Sequence, residues 1–243
     1  LQNHLNDKAL SIDICVSPFL YPVYQKENCI VVVIDILRAT SAICTAFEYG
    51  VDRMIPVASV EEAMQYKSKG YLVGAERNGI QLEGVDFGNS PFSYMNENIK
   101  GKTIVLSTTN GTQAIEAARK ADKVVIGAYT NISALCKYIA SEHKNVLMLC
   151  SGWKNKLNLE DTLFAGTMVN RLTAMRNYKV GDAAQAIAHL SWQAEQNPFR
   201  FIRKSSHAER LAALGLKHDI KYCLSLDKTA IIPTLKGDFL ITN

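Results

Sequence analysis

The sequence predicts an α/β fold: a mostly parallel or mixed sheet with helices on both faces, in three layers. Three observations lead there. Short apolar runs such as Cys29–Ile34 alternate with helix-period segments from about residue 29 to residue 172. Continuous apolar runs suit strands buried on both faces, and the helices between them are the crossovers that parallel strands require. Of the 243 residues, 48% are hydrophobic and 21% charged, which excludes a disordered or fibrous chain and provides a substantial core. Finally, polar and small residues cluster just after the apolar runs, where open parallel sheets bind ligands.

The elements read in order as follows. Ile12–Val16 alternates and is expected at a sheet edge. Cys29–Ile34 is a buried strand stopped by Asp35, and Ala39–Tyr49 is a helix ending at Gly50. Arg53–Val57 is the next strand. Ser59 caps the helix after it, with Glu62 completing a capping box. Tyr71–Val73 is a short strand closed by Gly74. The stretch Gly74–Lys100 then interrupts the rhythm with four glycines, Asn78, Asn89 and Pro91, yet keeps Ile80, Leu82, Val85, Phe87 and Phe92. A loop this long with apolar anchors is expected to lie ordered over a site. Lys102–Leu106, Val124–Ile126 and Val146–Leu149 are further strands. Helices follow each of them, to about Lys120, from Asn131 to about Ser141, and from Asn158 to about Met175. After Asp182 the chain reads helical to about Lys221, broken at Asn197–Pro198, with a last apolar run before Pro233. Neither a repeat nor a flexible linker divides residues 1–243, so one unit is expected, with two closely packed α/β lobes as the alternative.

Composition narrows the partners. Lys and Arg number 27 against 23 acids, a formal charge of +4, with no block of five basic residues, so nucleic acid is not expected. No apolar stretch approaches the ~20 residues of a membrane span. The start, Leu1 to Lys8 with His4, lacks an apolar core segment and does not read as a signal peptide. Six scattered cysteines (15, 29, 44, 136, 150, 223) show no zinc spacing and read as reduced thiols of a cytoplasmic protein. Base rates for soluble proteins predict a homodimer.

The chemistry lies at the strand ends. The first buried strand delivers Asp35 and Arg38, and the third Gly74, Glu76 and Arg77. The later strands deliver Ser107 through Thr112, Gly127, and Ser151 with Gly152. A parallel sheet gathers these on one rim. Thr108-Thr109-Asn110-Gly111-Thr112 joins a strand to a helix, and free amides at a helix N-terminus favour phosphate; the plainer alternative is capping alone. Asp35 follows five aliphatic residues and needs a partner, either a cation or a structural pair with Arg38. Glu160–Asp161 open a helix behind Asn158, where they complement the helix dipole or bind metal. Carboxylates beside an anion site suit Mg²⁺. His207, with Arg210 three residues on, is a candidate acid or base, though a lone His is more often structural. His143, His189 and His218 show nothing better, and Trp153 and Lys154 after Gly152 are a weak signal. Several known chemistries are excluded. No cysteine is followed by five residues and then Arg, position 37 is Leu rather than a second Asp, and neither GxxxxGK[ST] nor GxGxxG occurs.

Taken together, Asp35-Ile36-Leu37-Arg38-Ala39-Thr40-Ser41, Gly74-Ala75-Glu76-Arg77-Asn78-Gly79, Gly84-Val85-Asp86-Phe87-Gly88-Asn89-Ser90-Pro91, Thr108–Thr112, Leu159-Glu160-Asp161, Ala165-Gly166, and Arg210-Leu211 with Gly215 and Asp219 resemble, in order, the 2-phosphosulfolactate phosphatases associated with coenzyme M biosynthesis. The departures are Ser107 where Thr is common, Ala75 before Glu76, and Ala208 where Gly is usual. The resemblance implies a Mg²⁺-dependent phosphatase that hydrolyses (R)-2-phospho-3-sulfolactate to 3-sulfolactate and phosphate, and it strengthens His207.

The expected enzyme is therefore a Mg²⁺-dependent phosphomonoesterase acting on a small anionic substrate by metal-assisted attack of water. Catalytic roles fall to Asp35, Arg38, Glu76 and His207, and metal binding to Asp35, Glu76, Glu160 and Asp161. Arg38, Arg77, Thr108, Thr109, Asn110, Gly111 and Thr112 are expected to hold phosphate. Arg210 or Lys154 is expected to meet a second anionic group. The residues leave covalent attack by Asp35 open. They also leave two rivals: a phosphatase of another small phosphorylated hydroxy acid, and a non-catalytic sensor of phosphorylated metabolites.

Overall fold

Six consecutive residues buried on both faces, Cys29–Ile34, form the central strand β2, and the computed structural model builds outward from it over residues 9–242. The strands in chain order are β1 (Ser11–Cys15), β2, β3 (Arg53–Pro56), β4 (Leu72–Arg77), β5 (Ile80–Gln81), β6 (Thr103–Ser107), β7 (Lys123–Gly127), β8 (Asn145–Cys150), β9 (Lys179–Val180), β10 (Thr234–Lys236) and β11 (Phe239–Ile241). The helices are α1 (Tyr21–Tyr24), α2 (Ala39–Glu48), α3 (Val60–Lys67), α4 (Gly111–Ala118), α5 (Ile132–Ser141), α6 (Leu159–Met175), α7 (Asp182–Ala194), α8 (Pro198–Ile202), α9 (Ser206–Ala213) and α10 (Lys217–Cys223). Residues 1–8, and with them His4 and the reading of the chain's start, lie outside the described residues.

Among the described residues the eleven strands form one mixed, mostly parallel sheet in the order β5-β4-β6-β3-β11-β10-β7-β2-β8-β1-β9. β2 pairs in parallel with β7 (Val33 opposite Ile126) and β8 (Val33 opposite Leu149). The second parallel set is β4-β6-β3. The two sets are joined by the antiparallel hairpin β10–β11, through Thr234 opposite Val125 and Leu240 opposite Met54. The strands and the helices against them make a main core that runs from Ile12 to Leu240, and a second, smaller one of Ile55, Val57, Ala63, Val73, Ala75 and Val105 lies around β3, β4 and β6.

Four details differ from the sequence reading. β1 lies inside the sheet, because the two-residue β9 pairs beyond it. β4 does not close at Gly74 but continues to Arg77 and folds back on β5, so the expected loop starts later and carries two 3₁₀ turns, Pro91–Tyr94 and Glu97–Ile99. Ser59 caps α3 by accepting from Glu62 N–H (3.1 Å), but Glu62 reaches Ala58 N–H rather than closing a box. The hairpin after Pro233, where the sequence reading assigned no element, occupies the middle of the sheet.

The elements that position the site are over-determined. α2 is made of small residues, so it packs closely, and nine of its residues are buried. Its hydroxyls bind the turn before it: Thr40 Oγ1 donates to Asp35 O (2.9 Å) and accepts from Asp35 N–H (3.1 Å), and Ser41 Oγ donates to Ile36 O (3.0 Å). Four strands separate β6 from β2 in the sheet, yet α4 closes onto the end of β2. A methyl at Gly111 would lie 2.7 Å from Ala39 Cβ and 2.9 Å from Asp35 Oδ2. Only glycine allows that approach.

No described helix is long and apolar enough to cross a membrane. All six cysteines are free and buried.

Candidate active site

The strand ends converge on a pocket lined by Asp35, Leu37, Arg38, Glu76, Asn78, Gly79, Asn89, Thr108, Thr109, Asn110, Trp153, His207, Arg210 and Leu211. Asp35 and Arg38 leave β2, Glu76 comes from the far end of β4, and residues 108–110 lead from β6 into α4. The α9 helix closes the pocket by placing His207, Arg210 and Leu211 on one face, at i, i+3 and i+4.

The Thr108–Thr112 segment is a built loop rather than a simple cap. Thr112 N–H donates to Thr108 Oγ1 (3.0 Å) and Thr112 Oγ1 donates to Thr108 O (2.8 Å). The capping bonds are thus made by Thr108, while Asn110, at the N-cap position of α4, makes no side-chain cap. Thr108, Thr109 and Asn110 face the pocket beside the positive end of the helix.

Arg38 does not pair with Asp35. Its Nη1 donates to Asp219 Oδ2 (2.6 Å), its Nη2 donates to Gly79 O (2.9 Å), and Glu76 Oε2 stands 4.0 Å away. Glu76 Oε1 accepts from Thr109 Oγ1 (3.3 Å), which links the acid to the phosphate-type loop. Asp35 is held by its main chain, and its carboxylate takes no donor from the described residues. Burial, then the nearby Asp161, raises its pKa to about 7, with His207 opposing and Glu76 and Glu160 adding to the rise.

Behind the pocket, His207 Nδ1 meets Glu160 Oε1 at 2.6 Å, with Glu160 fully buried and His207 nearly so. That bond fixes the ring and leaves the other ring nitrogen for the pocket. Asp161 serves differently. Its Oδ1 accepts from Ile36 N–H (2.8 Å), and its Oδ2 from Ser151 Oγ (2.9 Å) and Gly152 N–H (3.3 Å). Burial and Glu160 push its pKa up as well. Its three donors favour its ionised form and oppose that rise, whereas Asp35 has none.

Several expected residues are placed elsewhere. Arg77 is exposed and outside the pocket, because side chains alternate along β4 and Glu76 takes the inward position. Thr112 is consumed by the loop's own bonds. Glu160 and Asp161 lie beneath the pocket rather than in its wall, and Lys154 is exposed. Gly127 packs the core, where a methyl would lie 2.6 Å from Val32 Cγ1. Elsewhere, His143 bonds Arg176, and His218 stacks on Phe92. Sequence reasoning passed over Asn89, buried with its Oδ1 unpartnered, and gave little weight to Trp153. Asn89 carried a signal only as part of the Gly-Asn-Ser-Pro block.

Among the described residues no three His, Cys, Asp or Glu side chains form a ready-made metal cage. Mg²⁺ does not need one, since it is commonly held by one or two carboxylates, waters and substrate phosphate. The donor set suits that mode. Asp35 and Glu76 face the pocket, and the buried Glu160 Oε2 has no partner.

A carboxylate, a glutamate-supported histidine and a helix N-terminus around one pocket suit the chemistry of phosphate esters, and similarity to known proteins places the chain among the phosphoric monoester hydrolases. The family model described as 2-phosphosulpholactate phosphatase matches residues 15–238, and the chain belongs to that family. It is 42% identical over 212 residues to a probable 2-phosphosulfolactate phosphatase of Thermotoga petrophila, covering 86% of this chain and 91% of the relative. The protein of the same description from Caldanaerobacter subterraneus is 38% identical over 217 residues (88% and 90%), and that from Clostridium novyi 37% over 227 residues (92% and 96%).

Proposed function

We propose that the pocket hydrolyses (R)-2-phospho-3-sulfolactate to 3-sulfolactate and phosphate, with Mg²⁺ as cofactor. The observation that carries the reading is the contact between Asp35 and the loop at Gly111, where an added methyl would lie 2.9 Å from the carboxylate. A carboxylate set against an anion-binding helix end needs a cation between itself and the bound anion. Asp35 and Glu76 would hold Mg²⁺, whose contribution is to neutralise phosphate oxygens and favour attack by water.

The chain's own residues do the rest. Thr108, Thr109, Asn110 and the amides entering α4 bind the phosphoryl oxygens, and Arg38, held rigid by Asp219 and Gly79 O, orients them. Water adds to phosphorus, and the bond from phosphorus to the ester oxygen breaks. His207, aligned by Glu160, delivers a proton to that oxygen from its pocket-facing nitrogen, so the hydroxy acid leaves neutral at the new hydroxyl. The proton lost by water passes to a pocket carboxylate. Asp161 supports the site by joining the end of β2 to the turn after β8.

Phosphate release from phosphosulfolactate, phospholactate and phosphoglycolate, each with Mg²⁺ or EDTA, tests the reading. Mg²⁺-dependent turnover with the highest kcat/KM for phosphosulfolactate is expected. Absence of release under every metal condition would replace it with the sensor reading. A phospho-enzyme trapped by rapid quench would replace direct attack by water.

A further inference from the structure

The two arginines of the pocket are not equivalent. Arg38 is neutralised by Asp219 and Glu76. Arg210 forms no ion pair or hydrogen bond among the described residues, and its Nε is buried without a partner. What supports it is an aromatic face: Arg210 Cζ stands 5.0 Å from the centroid of the Trp153 ring. Lys154 Nζ stands 4.6 Å from the same centroid. Each cation is attracted to the indole and repels the other. An anion held by Arg210 relieves that repulsion, and stacking leaves the edge donors of a guanidinium available for such an anion.

The backbone that carries the indole is itself held in place. The Trp153 main-chain N–H donates to Lys156 O (2.9 Å) and the Lys156 main-chain N–H donates to Trp153 O (3.0 Å), closing a two-residue turn with Lys154 and Asn155 at φ of 52° and 60°. Gly152 precedes it at φ 60°, where a methyl would collide with Lys156 O. Asp161 then fixes Ser151 and Gly152 from below. This is a rigid support for a side chain that makes no hydrogen bond to the pocket.

We infer that Trp153 is a positioning residue that presents Arg210 to a second anionic group of the substrate. The pocket thereby selects phosphate esters that carry a neighbouring carboxylate or sulfonate over esters that carry none. The inference rests on the phosphatase reading above and assigns the selectivity of that site to one stacked pair.

The test compares kcat/KM for phosphosulfolactate and for phenyl phosphate in Trp153→Leu, Trp153→Phe and Arg210→Met. The ratio of the two is expected to fall about tenfold or more in W153L and R210M, mainly through a higher KM for the sulfonated ester. W153F, which keeps an aromatic face, is expected to retain most of the ratio. A binding readout runs without turnover. The chain has two tryptophans, and Trp192 is 70% exposed on α7, so Trp192→Phe leaves Trp153 as the sole emitter. In W192F, 3-sulfolactate is expected to change the emission and inorganic phosphate alone to leave it nearly unchanged, with the response lost on adding R210M. Equal losses for both esters in W153L and R210M, or emission indifferent to 3-sulfolactate, overturn the inference. Should W153L fail to fold, R210M decides, since it removes only the guanidinium. Turnover of both esters with the ratio intact defeats this inference alone. Emission that responds without any turnover defeats the phosphatase reading alone.

Discussion

Asp219→Ala is the substitution whose cost can be worked most directly. The Arg38–Asp219 bridge is 2.6 Å long, with side chains only 4% and 7% exposed, so solvent screening takes little from it. Removing one partner of a buried pair costs roughly 3–5 kcal/mol, because the remaining charge stays desolvated. Here Arg38 keeps Gly79 O at 2.9 Å and Glu76 at 4.0 Å. The lower end, about 3 kcal/mol, is therefore expected, or about a hundredfold in the folding equilibrium. Replacing both members, Arg38→Met with Asp219→Leu, is expected to recover most of that loss, since similar-sized apolar pairs are often neutral. The same double variant is expected to lose turnover, which separates the structural from the functional role of Arg38. Urea unfolding midpoints with unchanged slopes measure the first effect, and phosphate release measures the second. A loss below about 1 kcal/mol in D219A, or a double variant no more stable than D219A, refutes the claim that this pair is a desolvated anchor.

Other consequences are simpler to check. His207→Asn is expected to lower kcat by about 10²–10⁴ with unchanged circular dichroism, and Glu160→Gln to lower it through the same ring; wild-type kcat in either removes the dyad from the mechanism. Asp35 and Asp161 have folded pKa values raised to about 7, so the folded chain binds more protons than the unfolded one between about pH 4 and pH 7. Stability of the metal-free protein is therefore expected to fall as pH rises through that window; Asp35→Asn is expected to flatten the slope in thermal melts, and a melting temperature rising with pH contradicts the assignment. Burial raises the thiols of Cys15 and Cys29 to about 11 and those of Cys44, Cys136 and Cys223 to about 12, and raises Cys150 too. A thiol reagent at neutral pH is expected to label none until urea unfolds the chain, and fast labelling of the native protein argues against the packing described. Gly127→Ala is expected to cost about 1–3 kcal/mol by overpacking against Val32, read as a lower urea midpoint.

The parallel half of the fold was legible because its strands are buried on both faces, and a run such as Cys29–Ile34 has no other economical use. The rim of the sheet followed from the same pattern, which is why Asp35, Arg38, Glu76 and Thr108–Asn110 were found together. Arg77 was misplaced because adjacent residues were both read toward the site, whereas a strand continuing through Gly74 turns one of them outward. Thr112 was misjudged because a side chain spent inside a loop looks, in sequence, like one offered to a ligand. Trp153 was nearly missed because its partners, Arg210 and Lys154, lie on different elements, and only packing brings Arg210 to the indole. The hairpin β10–β11 carried a local signal in Gly237-Asp238 between two short apolar runs. Three residues per strand fell below what periodicity can read, and nothing local says that such a hairpin enters mid-sheet.

That insertion has a consequence for how the molecule is made. Residues 234–241 are translated after all the other strands, yet they stand between β3 and β7. Until they emerge, each parallel set has an open edge with unsatisfied amides and carbonyls, and the sheet cannot be completed. Such edges recruit other chains. Each parallel set can form earlier, but the joint between them is among the last steps of folding, so a nascent chain stalled before Thr234 exposes two sticky edges at once. Damage to this short hairpin is thus expected to show first as aggregation during synthesis, before any change at the distant pocket is felt.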